Sequence, residues 1–116
     1  MQEQINSIID WNITADNNNF NYWLEVSMLS EEFSELIIAL KNKDKKEAVD
    51  WLLDIFWVGI WTLHKMWIKW EDIFRAFEEI EDSNYSKFHN WECIKNENWK
   101  IIKPETYKKP NLDFIA

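Results

Sequence analysis

The chain has 116 residues, of which 47% are hydrophobic and 29% charged, a profile that describes one folded domain over 1–116 and argues against disorder or a second domain. Its 13 Lys and Arg against 21 Asp and Glu give a net charge of −8; a phosphate backbone would be repelled, so nucleic acid is not an expected partner, and a polyanionic substrate requires accompanying divalent cations. The single cysteine, Cys93, makes neither an internal disulfide nor a zinc site and fits a reducing, cytoplasmic setting.

Met1 to Trp11 carries Glu3 and Asp10 without a basic start before an apolar run, so no signal peptide is expected. The same stretch has a short helical pattern over 3–11 through Ile5, Ile8, Ile9 and Trp11, ended by the polar run Asp16 to Asn19. From 20 to 41 the residues Tyr22, Val26, Leu29, Phe33, Leu36, Ile37 and Leu40 recur at three and four and predict a long amphipathic helix with these side chains in the core. A polar turn follows. The next helix, 44–66, carries Val49, Leu52, Leu53, Phe56, Ile60 and Leu63, and Asp44 is a natural cap. Its apolar run Ile55 to Leu63 is far shorter than the roughly 20 residues a membrane span needs, so no membrane role is expected.

A fourth helix is predicted over 71–88 with Ile73, Phe74, Phe77 and Ile80 inward. Short links imply antiparallel neighbours, so the expected fold is an all-α antiparallel helical bundle with its helical core at about 20–88. Cys93 to Lys95 and Lys100 to Ile102 suggest a short C-terminal β-hairpin, or an extended tail marked by Pro104 and Pro110, over 89–116.

The chemistry points to the carboxylates. Glu31, Glu32 and Glu35 form E-E-x-x-E, and a 100° step puts Glu32 and Glu35 on one face with Glu25 nearly in line. Glu47, Asp50 and Asp54, three and four apart, make a second stripe on the following helix. Antiparallel packing brings the two stripes together at the edge of the core. Two carboxylates about 6 Å apart repel by roughly 3 kcal/mol at an effective dielectric near 20, so a group of them must protonate or hold cations. Oxygen-only ligation on rigid helices suits Mg²⁺ or Mn²⁺, the chemistry of metal-assisted phosphoryl hydrolysis. The alternative is a pair of solvated acidic faces with Lys partners. Asp50 and Asp54 weigh against it, because Asp is a poor helix former and both sit in an otherwise apolar helix.

E-E-x-x-E at 31–35, followed after a short turn by E-A-V-D-W-L-L-D-I-F-W-V at 47–58, resembles the metal-binding core of MazG-like nucleotide pyrophosphohydrolases, the phage-type phosphoribosyl-ATP pyrophosphohydrolase-like members above all. Ser83-Asn84-Tyr85-Ser86-Lys87 and the tail through Lys103-Pro104 and Pro110 are similar to theirs. The resemblance, over about 22–112, implies Mg²⁺-dependent cleavage of a nucleoside triphosphate between its α and β phosphates, releasing pyrophosphate and a monophosphate. It implies Glu32, Glu35, Asp50 and Asp54 as metal ligands, Glu31 and Glu47 beside them to hold a second metal or orient water, and Asn84 and Lys87 as phosphate or nucleotide contacts. It also implies a homodimer or homotetramer. Phosphoribosyl-ATP is the alternative substrate. A non-catalytic helical interaction module is the competing class, since Trp51 stands where many members of the family have Glu.

The composition is anomalous in one respect: nine Trp and a single glycine, Gly59, against an average glycine usage of about 7%. Trp67 follows a helix ending in His64-Lys65, where a left-handed cap favours glycine, and Trp91 and Trp99 each follow Asn, as glycine does in hairpin turns. The phage-type relatives resemble the chain best with glycine at Trp51, Trp61, Trp67, Trp91 and Trp99, as if UGA encoding glycine had been read as Trp. Strained turns at Trp67 and Trp99 are the expected consequence.

Overall fold

Two polar side chains set the start of the helices that carry the acids. Asn21 Oδ1 accepts from the backbone N–H of Trp23 (2.9 Å) and Leu24 (3.3 Å), and Asp44 Oδ1 accepts from Glu47 N–H (3.1 Å). The structure is a computed structural model that describes residues 1–115. It contains α1 (Gln2–Thr14), α2 (Tyr22–Lys41), α3 (Lys45–Lys65) and α4 (Trp70–Tyr85), each within a few residues of its predicted span. The chain divides into two compact units, Met1–Ile68 with α1 to α3 and a second from Lys69 onward with α4 and the tail. Among the described residues no helix is long and apolar enough to cross a membrane.

In the first unit, α2 ends in a two-bond cap, Lys43 N–H to Leu40 O (3.1 Å) and Asp44 N–H to Ala39 O (2.9 Å). Asp44 thus closes one helix and opens the next. The reversal is so tight that α2 and α3 pack as antiparallel neighbours, with Leu36, Ala39 and Ala48 buried between them and Trp51 and Ile55 against that cluster. On α1, Ile5 and Ile8 are fully buried, and Trp11 meets Trp57 edge-on at 6.2 Å and Trp61 at 5.6 Å.

The periodic stripe of α2 is only partly the core that its spacing predicts. Leu36 is buried and Leu29 half-buried, but Tyr22, Val26, Phe33, Ile37 and Leu40 are exposed, as are Val49, Leu52 and Leu53 on α3. Both helices carry more apolar residues than one seam can cover, and the α2–α3 seam takes the side with the small residues Ala39 and Ala48. Trp11, Phe77 and Ile80 are likewise more exposed than expected.

A polar group is buried instead. Glu25 and Lys65, only 4% and 2% exposed, form an ion pair across the α2–α3 seam, and Thr62 Oγ1 donates to Glu25 Oε2 (3.0 Å). Nearby, the buried Asn12 side chain donates to Trp61 O (3.2 Å), faces His64 Nδ1 (3.3 Å) and accepts from Asn17 Nδ2 (3.1 Å).

In the second unit, Ile73 and Ser83 of α4 are buried. Ser86 pins the tail: its hydroxyl donates to Ser83 O (2.6 Å) and accepts from Lys108 N–H (2.8 Å), while its carbonyl accepts from Thr106 Oγ1 (3.1 Å). The predicted C-terminal β-hairpin is not formed. Among the described residues there are two isolated antiparallel bridges, His89 with Glu92 and Lys95 with Ile101, and no strand. Across the 96–99 turn only Asn96 N–H to Lys100 O (2.8 Å) and Ile102 N–H to Ile94 O (2.8 Å) bond, too few rungs to make strands.

Candidate functional site

The tight α2–α3 reversal fixes which acids meet. Helical spacing places Glu25 and Glu32 two turns apart on the side of α2 that faces α3. Antiparallel pairing then sets Glu25 beside Lys65 near the far end of the seam and Glu32 beside the middle of α3. Glu32 is half-buried, its Oε2 is shut off from solvent, and that oxygen has no hydrogen-bond partner.

Its surroundings are acidic. Burial raises the Glu32 carboxyl above its usual range, and the charges of Asp54, Glu31, Glu35 and Asp50 raise it further. Four of the other five carboxylates that the sequence selects therefore bear on Glu32. Glu47 does not act on Glu32; its Oε2 accepts from the Trp51 indole N–H (3.2 Å). Glu35, Glu47, Trp51 and Asp44 line a small cavity of about 110 Å³ at the helix reversal.

Among the described residues no three His, Cys, Asp or Glu side chains already stand in an arrangement that would hold a metal ion. Mutual repulsion gives a reason, since like charges splay until a cation draws them in. The donor set nevertheless fits a hard divalent cation: the Glu32 Oε2 is a solvent-shielded carboxylate oxygen with no donor to satisfy it, and the charged groups that act on it are all carboxylates.

Because the folded Glu32 titrates above 4.5, it costs nothing below that value and destabilises the metal-free protein increasingly as pH rises through its raised pKa. Melting temperature should therefore fall as pH rises from 4.5 to that raised value and level off beyond it, and Mg²⁺ should restore it far more above the raised value than below 4.5. Glu32→Gln should flatten both responses in a circular-dichroism melt. Identical pH slopes for the two proteins would remove the crowding argument.

Asn84 and Lys87 lie in the second unit, where Lys87 Nζ donates to Asn84 Oδ1 (3.1 Å). The sequence reading missed their neighbours. Lys103 and Lys87 stand 4.8 and 6.0 Å from the Tyr107 ring. The Tyr107 hydroxyl is held below the usual phenol range by the Ser83 side chain, and the charges of Lys103, Lys87 and Lys109 lower it further. The signal was present in the cluster of Lys in the tail, but its convergence depends on Ser86 folding that tail back. The Glu25–Lys65 pair was also missed, although Glu25 stood in line with Glu32. A larger cavity, about 550 Å³ and apolar, lies elsewhere in the first unit, lined by Ile8, Leu53, Phe56 and Trp57 among others, and includes none of the acids.

A family model described as phosphoribosyl-ATP pyrophosphohydrolase matches residues 3–81, more than half of the chain and all the carboxylates considered above. No curated protein and no solved structure gives a significant match.

Proposed function

Since the chain belongs to the phosphoribosyl-ATP pyrophosphohydrolase family, MazG-like all-α hydrolases of phosphoric anhydride bonds, we propose that it is a Mg²⁺-dependent enzyme cleaving a nucleoside triphosphate between the α and β phosphates. Water is consumed, the bond from the α phosphorus to the bridging oxygen breaks, and pyrophosphate leaves with a nucleoside monophosphate as the other product. The observation that carries this reading is the unsatisfied Glu32 oxygen amid Asp54, Glu31, Glu35 and Asp50.

Glu32, Glu35, Asp50 and Asp54 hold the cation, Mg²⁺ or in its place Mn²⁺. Once bound, such an ion supplies charge to the phosphate oxygens and makes a water more acidic. Glu31, exposed at the rim, and Glu47 orient the attacking water and accept its proton. Asn84 and Lys87 contact the substrate's phosphates or nucleotide, Lys87 supplying positive charge to an otherwise acidic protein.

Phosphoribosyl-ATP, itself an adenosine triphosphate derivative, is the second substrate reading, favoured by the description of the matching family. Release of pyrophosphate, coupled to inorganic pyrophosphatase and colorimetric phosphate detection, tests both. The panel comprises ribo- and deoxynucleoside triphosphates and phosphoribosyl-ATP, each with and without Mg²⁺. Turnover only with the cation is expected; no turnover on any member of the panel would favour a non-catalytic interaction module.

The working unit is proposed to be a homodimer or homotetramer, in a cytoplasmic setting. Support comes from Phe33, Ile37, Leu40, Leu52 and Leu53, which are 48%, 49%, 57%, 50% and 63% exposed in the single chain. Side chains of this kind at helical spacing form a face that water disfavours. Leu53→Glu should shift the sedimentation profile towards monomer and lower the melting temperature, whereas an unchanged profile would sink this assembly.

A further inference from the structure

The one glycine, Gly59, sits inside α3, where no positive φ calls for it. Three of the nine Trp take the backbone conformation that favours glycine instead: Trp67, Trp91 and Trp99 have φ of 65°, 63° and 63°. Positive φ brings Cβ against the backbone carbonyl and is rare for a bulky side chain. The three stand in three different kinds of turn, and each kind has its own reason to favour glycine.

Trp67 ends α3. Its N–H bonds to His64 O (3.0 Å) and Ile68 N–H bonds to Leu63 O (3.3 Å), the paired 5→2 and 6→1 bonds of a Schellman cap whose left-handed residue is usually glycine. Asp16 and Lys43 do the same for α1 and α2, so the motif tolerates a short polar or flexible side chain. An indole is another matter.

Asn90 and Trp91 are both left-handed, at 52° and 63°, between His89 and Glu92, which exchange two backbone bonds of 2.8 and 3.0 Å. This is a two-residue type I′ turn, for which Asn-Gly is the preferred sequence. Trp99 N–H bonds to Asn96 O (3.0 Å) and Asn96 N–H to Lys100 O (2.8 Å), a type I turn followed by a left-handed residue at a G1 bulge, again a glycine position.

None of the three indoles is buried in return, and the contact made by Trp99 is with the Lys95 ammonium, 5.6 Å from its ring. The three are 81%, 86% and 80% exposed, so each places a large apolar side chain in water at a backbone position that resists it. Two observations extend the pattern unequally to α3. The Trp61 indole N–H is buried with no acceptor, whereas Trp51 is helical and its indole bonds to Glu47, so nothing at Trp51 requires another residue.

We infer that glycine is the residue the cell of origin places at positions 67, 91 and 99, its gene using UGA as a glycine codon. The inference is independent of the catalytic reading: it rests on turn geometry, and its test contains no assay of activity.

The gene and the protein both report on it. UGA is expected at codons 67, 91 and 99, and intact-mass measurement on protein from the native cells is expected to fall short of the tryptophan-containing chain by one Trp-to-Gly difference at each. UGG at any of the three codons overturns the inference. Independently, the Trp67→Gly, Trp91→Gly, Trp99→Gly triple variant of the chain should melt on the order of 10 °C higher. Trp57→Gly, in the middle of α3 and packed on Trp11, should melt lower. A triple variant that melts at or below the parent temperature overturns the inference as well.

Discussion

Glu35→Gln and Asp54→Asn should each lower kcat/KM by about 10³-fold or more while leaving the metal-free protein as stable as before, or more so. Both substitutions keep the size and shape of the side chain and remove one negative charge. In a site whose acids already repel, as the raised Glu32 titration records, that loss relieves the folded state. On the proposed ligation it also takes from a divalent cation one of few anionic ligands, and with it several kcal/mol of charge stabilisation at the reacting phosphate, where each 1.36 kcal/mol is worth about tenfold in rate. Opposite signs for activity and melting temperature distinguish a lost ligand from a damaged fold. A Glu3→Gln control, on the exposed side of α1, should change neither. Retained turnover in Asp54→Asn would end the catalytic assignment of this seam.

Lys65→Met should be the most destabilising single change in the first unit, at about 3–5 kcal/mol, because it strands the Glu25 carboxylate in a site that water does not reach. Against a total stability of about 5–15 kcal/mol for an ordinary domain, that is a large share. Pairing it with Glu25→Gln should recover most of the loss, since the cost lies in the orphaned charge. Thr62 Oγ1 can still donate to the amide oxygen. Chemical denaturation of the two single variants and the double variant measures the coupling; simple additivity would mean that the pair is screened by solvent.

Local features were legible in the sequence. Asp44 announced the α2–α3 reversal because capping acts over three residues, and Trp67, Trp91 and Trp99 stood out because turn geometry depends on immediate neighbours. The E-E-x-x-E and Asp50/Asp54 spacings set each acidic stripe on one side of its helix for the same reason, a helix's period being fixed, and the tight reversal then brings Asp54 near enough to raise the Glu32 carboxyl. What depended on long-range packing was not legible. Periodicity showed that α2 has an apolar stripe, yet the seam with α3 went to the side holding Glu25, Glu32, Leu36 and Ala39, and Phe33 and Ile37 were left outside. Lys65 looked like a cation at a helix end, suited to the helix dipole, and only the fold gives it Glu25. The bridges at 89–92 and 95–101 contain the right turns for hairpins, but the flanking residues never extend into strands.

The short link at residues 42–44 also bears on how the protein reaches its native state. Contacts between segments so close along the chain form early, because little loop entropy is lost in closing them. The α2–α3 hairpin is therefore a natural nucleus, and its opposing acids are forced together before most apolar surface is sheltered. Divalent ions present during refolding would then act on the folding limb of the chevron, speeding the approach to the folded state more than they slow escape from it.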